Sequence, residues 1–444
     1  MHPILHKRRF SSAQIILMGF AAVILLGAWL LMLPISSRDG SWTPFLDTLF
    51  TSTSAVCVTG LVLYDTATHW TLFGQVVILL LIQIGGMGVI TVAASIAMLS
   101  GRKITLSQRS TMQDAISAPQ VGGIVRFTGF VLKGICLVEF TGAAFLSIVF
   151  IRDYGFFRGI WMGLFHSISA FCNAGFDLLG EKAPFSSLTA YVTDPIINLA
   201  IGHLIIIGGI GFLTWEDVCR NKWHFGKYRM QSKVILVATL LLITIPALYF
   251  FFFEFEDLPF AQRAWGSWFQ SVTPRTAGFN TLNYGDMSEV GQIITSMLMV
   301  IGGAPGSTAG GMKNTTFAVL IACAVAVFQK RQDGHYFGRR LSTDTVKNAV
   351  AIFLLYICTF LLGGMVISRI ENLPLITTLF ESASAVGTVG LTVGITPSLG
   401  TVSKVVLIME MFFGRVGGLT LIFATIPAAK NLVSRLPEEK IAVG

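Results

Sequence analysis

Residues 380–390 read Phe-Glu-Ser-Ala-Ser-Ala-Val-Gly-Thr-Val-Gly, and residues 50–60 read Phe-Thr-Ser-Thr-Ser-Ala-Val-Cys-Val-Thr-Gly. The phrase opens on an aromatic residue, continues in small hydroxyl and apolar residues, and closes on glycine ten residues later. Two looser copies stand between them, running from Phe165 to Gly175 and from Trp268 to Gly278. The four closing turns read "CVTGL" (57–61), "CNAGF" (172–176), "RTAGF" (275–279) and "GTVGL" (387–391). A second landmark follows each turn: "IQIGGMGVIT" (82–91), "IIIGGIGFLT" (205–214), "MVIGGAPGST" (299–308) and "MFFGRVGGLT" (411–420). Their first glycines lie 25, 33, 24 and 24 residues beyond the turn glycines. Two landmarks in one order, four times over, make an internal repeat.

The medium in which the repeat sits follows from composition. The 444 residues are 53% hydrophobic and 12% charged, with a mean hydropathy of +0.73. A soluble domain carries about 25% charged residues, so the chain is an integral membrane protein. Eight apolar windows long enough to span a bilayer fall near 13–35, 72–99, 124–151, 196–219, 232–253, 290–328, 346–368 and 402–428. Shorter semi-apolar segments at 44–56, 160–171, 263–274 and 374–386 precede the four turns. As helices they are too short to cross, and they fit re-entrant segments that enter and turn back inside a protein-lined space. The first window is too long for a signal-peptide core and lacks a small-residue cleavage site. The expected fold is all-α: eight transmembrane helices and four re-entrant pore loops in pseudo-fourfold arrangement around one pore. Its four units are 1–100, 101–222, 223–330 and 331–444.

The net charge of +8 raises the question of nucleic acid. Of 31 Lys and Arg, 20 fall in the terminal tails and the loops after spans two, four and six, against 7 on the opposite side. Such a bias places both termini in the cytoplasm and explains the charge by topology, without a nucleic-acid partner. Six scattered cysteines with no C-x-x-C pair read as small apolar packing residues.

The turns carry little side-chain chemistry. Cys57, Val58, Thr59 and Gly60; Cys172, Asn173, Ala174 and Gly175; Arg275, Thr276, Ala277 and Gly278; and Gly387, Thr388, Val389 and Gly390 offer mainly backbone oxygens. A ring of carbonyls replaces the hydration shell of an alkali cation, and aiming consecutive carbonyls inward needs dihedrals that glycine adopts cheaply. The K+ ligands expected are the carbonyls of Val58, Thr59, Asn173, Ala174, Thr276, Ala277, Thr388 and Val389. A Ca2+ site would want carboxylates, and the nearest acids, Asp47, Asp177 and Glu381, are not repeated around the ring. Arg275 is expected to turn away from the axis and bind backbone carbonyls or the first short helix.

With these four helix–turn–helix units and one glycine per turn, nearly the whole chain resembles the Trk/Ktr/HKT superfamily of potassium transporters. Among its branches it looks most like KtrB, the membrane subunits of Ktr potassium uptake systems. The resemblance implies K+ selectivity, since glycine at all four filter positions goes with K+ and serine at the first with Na+ permeation. It leaves Na+ dependence open. It implies a homodimer in the cell membrane on a cytoplasmic ring of nucleotide-binding RCK (KtrA-type) subunits, with no nucleotide on this chain.

Span six is interrupted by "GGAPGSTAGGMKN" (302–314), too rich in Gly and Pro to stay helical. A phosphate-binding loop would need glycine just before the lysine and Ser or Thr just after; Met312 and Asn314 stand there. Two readings remain, a kinked helix and a loop that blocks the pore, and the resemblance favours a gating loop. It would comprise Gly302, Gly303, Ala304, Pro305, Gly306, Ser307, Thr308, Ala309, Gly310, Gly311, Met312 and Lys313. Arg415 occupies the place held by Gly86, Gly209 and Gly303 in the other repeats. It is expected to face the axis, and the resemblance makes it the partner of the gating loop. Glu139, Glu410, His166 and His203 read as satisfied packing residues. Competing functions are a non-selective Na+/K+ pathway, a coupled solute transporter, which would need repeats of alternating orientation, and a membrane enzyme or receptor. No nucleophile–base pair or metal motif supports an enzyme.

Overall fold

The computed structural model describes residues 11–99, 105–116 and 122–425, together with 439 and 441. The basic residues of the tails (Lys7, Arg8, Arg9, Lys430, Arg435, Lys440) and Arg102 and Lys103 lie outside the described residues. The protein is predominantly helical, and one sequence of elements recurs four times. Long helices Ser12–Met32, Ile124–Tyr154, Met230–Tyr249 and Thr343–Glu371 lead into short helices Phe45–Cys57, Phe156–Phe171, Phe260–Val272 and Leu375–Gly387. After each short helix the chain turns and enters a second apolar helix: Leu72–Met87, Pro195–Gly209, Glu289–Val300 or Thr401–Val416.

Local chemistry sets these boundaries. Pro44, Pro259 and Pro374 stand directly before three short helices and Gly155 before the fourth. Proline has no N–H to leave unpaired there, and its fixed φ suits a helix start. Thr71, Asp194 and Ser288 cap second helices through their side chains. The long helices turn apolar side chains such as Leu26, Leu137, Leu240 and Leu362 outward, each more than half exposed. In water this would be an aggregating surface; in lipid it is the ordinary one.

Around the centre packing is dense. Phe50, Phe165 and Phe380, the aromatics that open three phrases, are fully buried. Trp268 is only half-buried, and packs on Gly202 of the second repeat, while its neighbour Phe269 fills the core. Ser52, Ser167 and Ser382, two residues beyond those aromatics, donate to the long-helix carbonyls of Ile24 (2.7 Å), Glu139 (2.6 Å) and Phe360 (2.8 Å). The hydroxyls of the phrase thus clamp each short helix to its long one.

Three expectations need correction. The second helices are not continuous over 72–99, 196–219 and 402–428. They break and resume as Val89–Leu99, Phe212–Asn221 and Gly418–Thr425, with bends of 95° and 99° at the first two. Among the described residues, four helices are able by length and apolarity to cross a membrane, or six if each bent pair counts as one span. The cause is a glycine three residues after each second-landmark glycine: Gly88, Gly211 and Gly417 have φ of +83°, +87° and +89°. A right-handed helix does not continue through that conformation. In the third repeat Pro305 holds the equivalent place, and the helix resumes only at Asn314–Phe328. Secondly, the fold is not wholly α. His335–Tyr336 pairs antiparallel with Arg339–Arg340 in a small hairpin, and a connecting helix, Leu106–Ile116, was not foreseen. Thirdly, Glu410 is not fully satisfied. Its Oε1 accepts from Ser382 (2.7 Å), but its buried Oε2 has no partner. Glu139 meets Gln83 (3.3 Å), and His166 bonds the Met162 carbonyl and the Leu178 N–H. His203, at the surface, bonds the Leu199 carbonyl and lies against the Trp268 ring. All six cysteines are free; Cys57 and Cys172 are buried, while Cys136, Cys219 and Cys358 are exposed and Cys323 is intermediate.

Candidate functional site

Each turn holds a left-handed residue at one ring position. Val58 (φ +59°), Asn173 (+59°), Thr276 (+71°) and Thr388 (+51°) stand two residues before the turn glycines. In the first, second and fourth turns the following N–H reaches back to the helix: Thr59 to the Ser54 carbonyl (2.8 Å), Ala174 to Ser169 (2.7 Å) and Val389 to Ser384 (2.8 Å). These are Schellman closures. The third differs, with Ala277 N–H on the Thr273 carbonyl (3.0 Å). The hydroxyls then fix the turns. Ser54 and Ser384 accept from the N–H of Gly60 (3.0 Å) and Gly390 (2.9 Å), whereas Ser169 and Thr273 donate to the carbonyls of Phe176 (2.7 Å) and Phe279 (2.5 Å). Glycine is thus not the only residue here with positive φ. Three of the four left-handed non-glycines are β-branched, a strain of about 1–3 kcal/mol each that the closures hold in place.

Gly60, Gly175, Gly278 and Gly390 also have positive φ, at +94°, +69°, +83° and +91°. They form a closed ring. A Cβ on Gly60 would stand 2.4 Å from the Ala174 carbonyl oxygen, and one on Gly175 2.8 Å from that of Ala277. One on Gly278 would meet Val389 O at 2.5 Å, and one on Gly390 would meet Thr59 O at 2.2 Å. Each glycine therefore abuts the carbonyl of the next repeat, and the fourth abuts the first. The carbonyls of Thr59, Ala174, Ala277 and Val389 are equivalent members of this ring.

The glycines of the second landmark explain why the two landmarks travel together. A Cβ on Gly85, Gly208 or Gly414 would stand 2.0, 2.0 or 2.2 Å from the carbonyl of Val56, Phe171 or Val386. Second helix and turn meet backbone to backbone.

Arg275 turns away from the ring and is buried, but its partner is the Thr239 hydroxyl on its own long helix (3.0 Å), not a backbone carbonyl or the first short helix. Its Nε and Nη1 have no partner. Among the described residues no three His, Cys, Asp or Glu side chains gather as a metal site.

Residues 301–313 form a loop under the ring. Its neck is closed by Gly302 N–H on the Met312 carbonyl (2.7 Å) and Asn314 N–H on Gly303 (3.0 Å). From there it reaches the second repeat, where Ala304 N–H donates to Gly209 O (2.9 Å) and Thr308 N–H to Gly208 O (3.2 Å). The Thr308 hydroxyl lies 3.0 Å from both Phe171 O and Asn173 Oδ1. On the other side Gly311 N–H donates to Gly414 O of the fourth repeat (3.2 Å), and Gly310 lies against Thr388. Arg415 completes the arrangement, donating through Nη1 to Thr308 O and through Nη2 to the carbonyls of Gly85 and Gly86, the latter at 3.1 Å. Lys313 folds back on the loop, its Nζ 2.8 Å from Ala309 O. A cavity of about 330 Å³ lies beyond the loop, lined by loop residues, Arg415 and the broken helix ends but by none of the turn residues.

Sequence reasoning brought together the ring, the loop and Arg415. It missed Thr308 and Asn173 as a contact between loop and ring, the receiving carbonyls of Gly208 and Gly209, and the breaks at Gly88, Gly211 and Gly417. The breaks had a signal in the recurring G-x-x-G of "GGMG", "GGIG" and "GRVG".

Fold and site together define a multi-helix membrane protein built around a fourfold ring of turns. The chain belongs to the TrkH family of cation transport proteins, whose model matches residues 7–433. It is 39% identical over 449 residues to the potassium/sodium uptake protein NtpJ of Enterococcus hirae, covering 99% of this chain and 98% of that one. It is likewise 39% identical to the Ktr system potassium uptake protein B of Bacillus subtilis, over 98% of this chain and 97% of the other. Its fold is also that of the potassium transporter TrkH from Vibrio parahaemolyticus, with a TM-score of 0.75, 18% identity, and coverage of 95% of this chain and 86% of that one.

Proposed function

We propose that this chain passes K+ across the cell membrane, down its electrochemical gradient, through the ring of turn carbonyls. The observation that carries the reading is the ring's closure, in which four equivalent glycines each abut the carbonyl of the next repeat. In this account the units 1–100, 101–222, 223–330 and 331–444 each contribute two membrane crossings and one re-entrant short helix, with both termini in the cytoplasm. The carbonyls of Val58, Thr59, Asn173, Ala174, Thr276, Ala277, Thr388 and Val389 replace the ion's water. The short helices aim their C-terminal ends at the ring, which favours a cation there. Arg275, with its charge drawn off to Thr239, leaves the axis free.

Residues 302–313 are the gate in this reading, held shut by bonds to the second and fourth repeats and, through Arg415, to the first. The chain works as a homodimer on a cytoplasmic RCK ring that binds the nucleotide. That proposal is supported by similarity to a protein named as part of a Ktr system. The described part of the loops at 219–233 and 329–347 offers a docking face, with Trp223 98% exposed and Lys233 over the rings of Phe225 and Phe337.

A second reading, Na+ carried with K+, is favoured by the equal identity to a protein named for potassium and sodium uptake. K+-limited growth of an uptake-deficient cell carrying the gene tests the first reading. Rescue is expected; no rescue, with the protein present in the membrane, sinks it. Repeating the assay with and without Na+ separates the second.

A further inference from the structure

Beyond the ring the four turns leave in the same way. The residue after each glycine, Leu61, Phe176, Phe279 or Leu391, is buried at 1% or less, and the next, Val62, Asp177, Asn280 or Thr392, is half-buried. In extended chain successive side chains point to opposite sides. With the first packed into the protein, the second faces the outer mouth. The four mouth positions therefore differ in chemistry: apolar in the first repeat, acidic in the second, amide in the third and hydroxyl in the fourth.

The other acids nearby are already committed. Asp47 is paired with Lys404 (2.8 Å) and the Tyr64 hydroxyl (2.8 Å). Asp65 accepts from Ala67, Thr68 and Phe185 N–H groups and the Thr68 hydroxyl. Glu181 is paired with Arg158 and Arg38, and Glu381 takes the hydroxyls of Thr392 and Thr396. Asp177 differs. Its Oδ1 accepts from Leu179 N–H (3.0 Å), and among the described residues no other donor and no cationic side chain pairs with its carboxylate. In the adjacent repeat Asn280 spends its amide nitrogen on the Leu282 carbonyl (3.2 Å), and among the described residues no donor reaches its amide oxygen.

We propose that Asp177, assisted by the amide oxygen of Asn280, forms an outer binding site that collects a partly hydrated monovalent cation and hands it to the ring. The site rests on the reading of the ring as an ion pathway. In its ionised form, a carboxylate at a narrow mouth raises local cation concentration and therefore capture, with little effect on passage through the ring. Its signature is a change in KM rather than Vmax.

The test is initial Rb+ uptake against Rb+ concentration, in uptake-deficient cells expressing the full chain with its native partner. Asp177→Asn should raise KM about three- to tenfold while Vmax falls less than twofold; Asp177→Glu should keep a low KM, and Asn280→Ala should raise it less. Raising ionic strength with an impermeant salt should move the wild-type KM towards that of Asp177→Asn. If Asp177→Asn fails to reach the membrane, Asp177→Cys treated with an anionic thiol reagent should lower KM, and with a cationic one raise it. A wild-type KM in Asp177→Asn, a loss of Vmax alone, or equal effects of the two reagents would overturn the outer site. Absence of Rb+ uptake by the wild type would instead overturn the pathway itself.

Discussion

Gly60 carries two demands at once: a positive φ of +94°, and a neighbouring carbonyl oxygen 2.4 Å from where its Cβ would be. Serine there must displace the Ala174 carbonyl, one of the four equivalent oxygens of the ring. Gly60→Ser should lower the K+/Na+ uptake ratio about tenfold, a loss of about 1.4 kcal/mol of K+ preference. An unaltered ratio would remove the first turn from the filter. At this scale the turn glycines were legible because they recur at fixed distance from an aromatic. The left-handed Val58, Thr276 and Thr388 were not, since nothing in a β-branched residue announces a conformation it disfavours. Arg275 was half legible. On the proposed reading a cation in the ring repels another, so it had to turn away, but which hydroxyl receives it depends on packing between elements distant in sequence.

The loop 301–313 is an element without helix or strand whose polar groups are shared between bonds within the loop and bonds to other repeats. Buried backbone has to find partners, and here they come from the carbonyls left free where the second helices break. Those breaks were hidden because "GGMG" and "GGIG" sit inside apolar runs that hydropathy reads as one span. Arg415→Ala removes charged hydrogen bonds to three carbonyls, worth about 1.5–3 kcal/mol together with the loop's other anchors unchanged. The open fraction, and with it basal Rb+ flux, should rise about tenfold to a hundredfold. Deleting 304–311 should raise flux at least as much. Flux at the wild-type level in both variants would leave the segment a kink and not a gate.

Over the whole molecule the fourfold order closes where the first and fourth repeats meet, and one contact at that seam is the Asp47–Lys404 pair. It joins the short helix of the first repeat to the second helix of the fourth, with side chains only 13% and 17% exposed. Breaking one partner of a fully buried pair costs about 3–5 kcal/mol, and of this part-buried pair less, while replacing both costs far less still. Lys404→Met should lower the Tm of the purified protein by several degrees, and Lys404→Met with Asp47→Asn should recover much of it. Equal Tm values for wild type and single variant would show that the seam does not depend on this pair. Fourfold organisation was legible from the repeat; the cyclic order was not, because only side-by-side carbonyls and glycines reveal which repeat neighbours which. The central claim is that these four turns share one cation. Anomalous diffraction from crystals of the full chain grown in Rb+ tests it most directly. The account predicts a peak on the ring axis, equally distant from the carbonyl oxygens of Thr59, Ala174, Ala277 and Val389. Rb+ peaks elsewhere in the protein with an empty ring would contradict it.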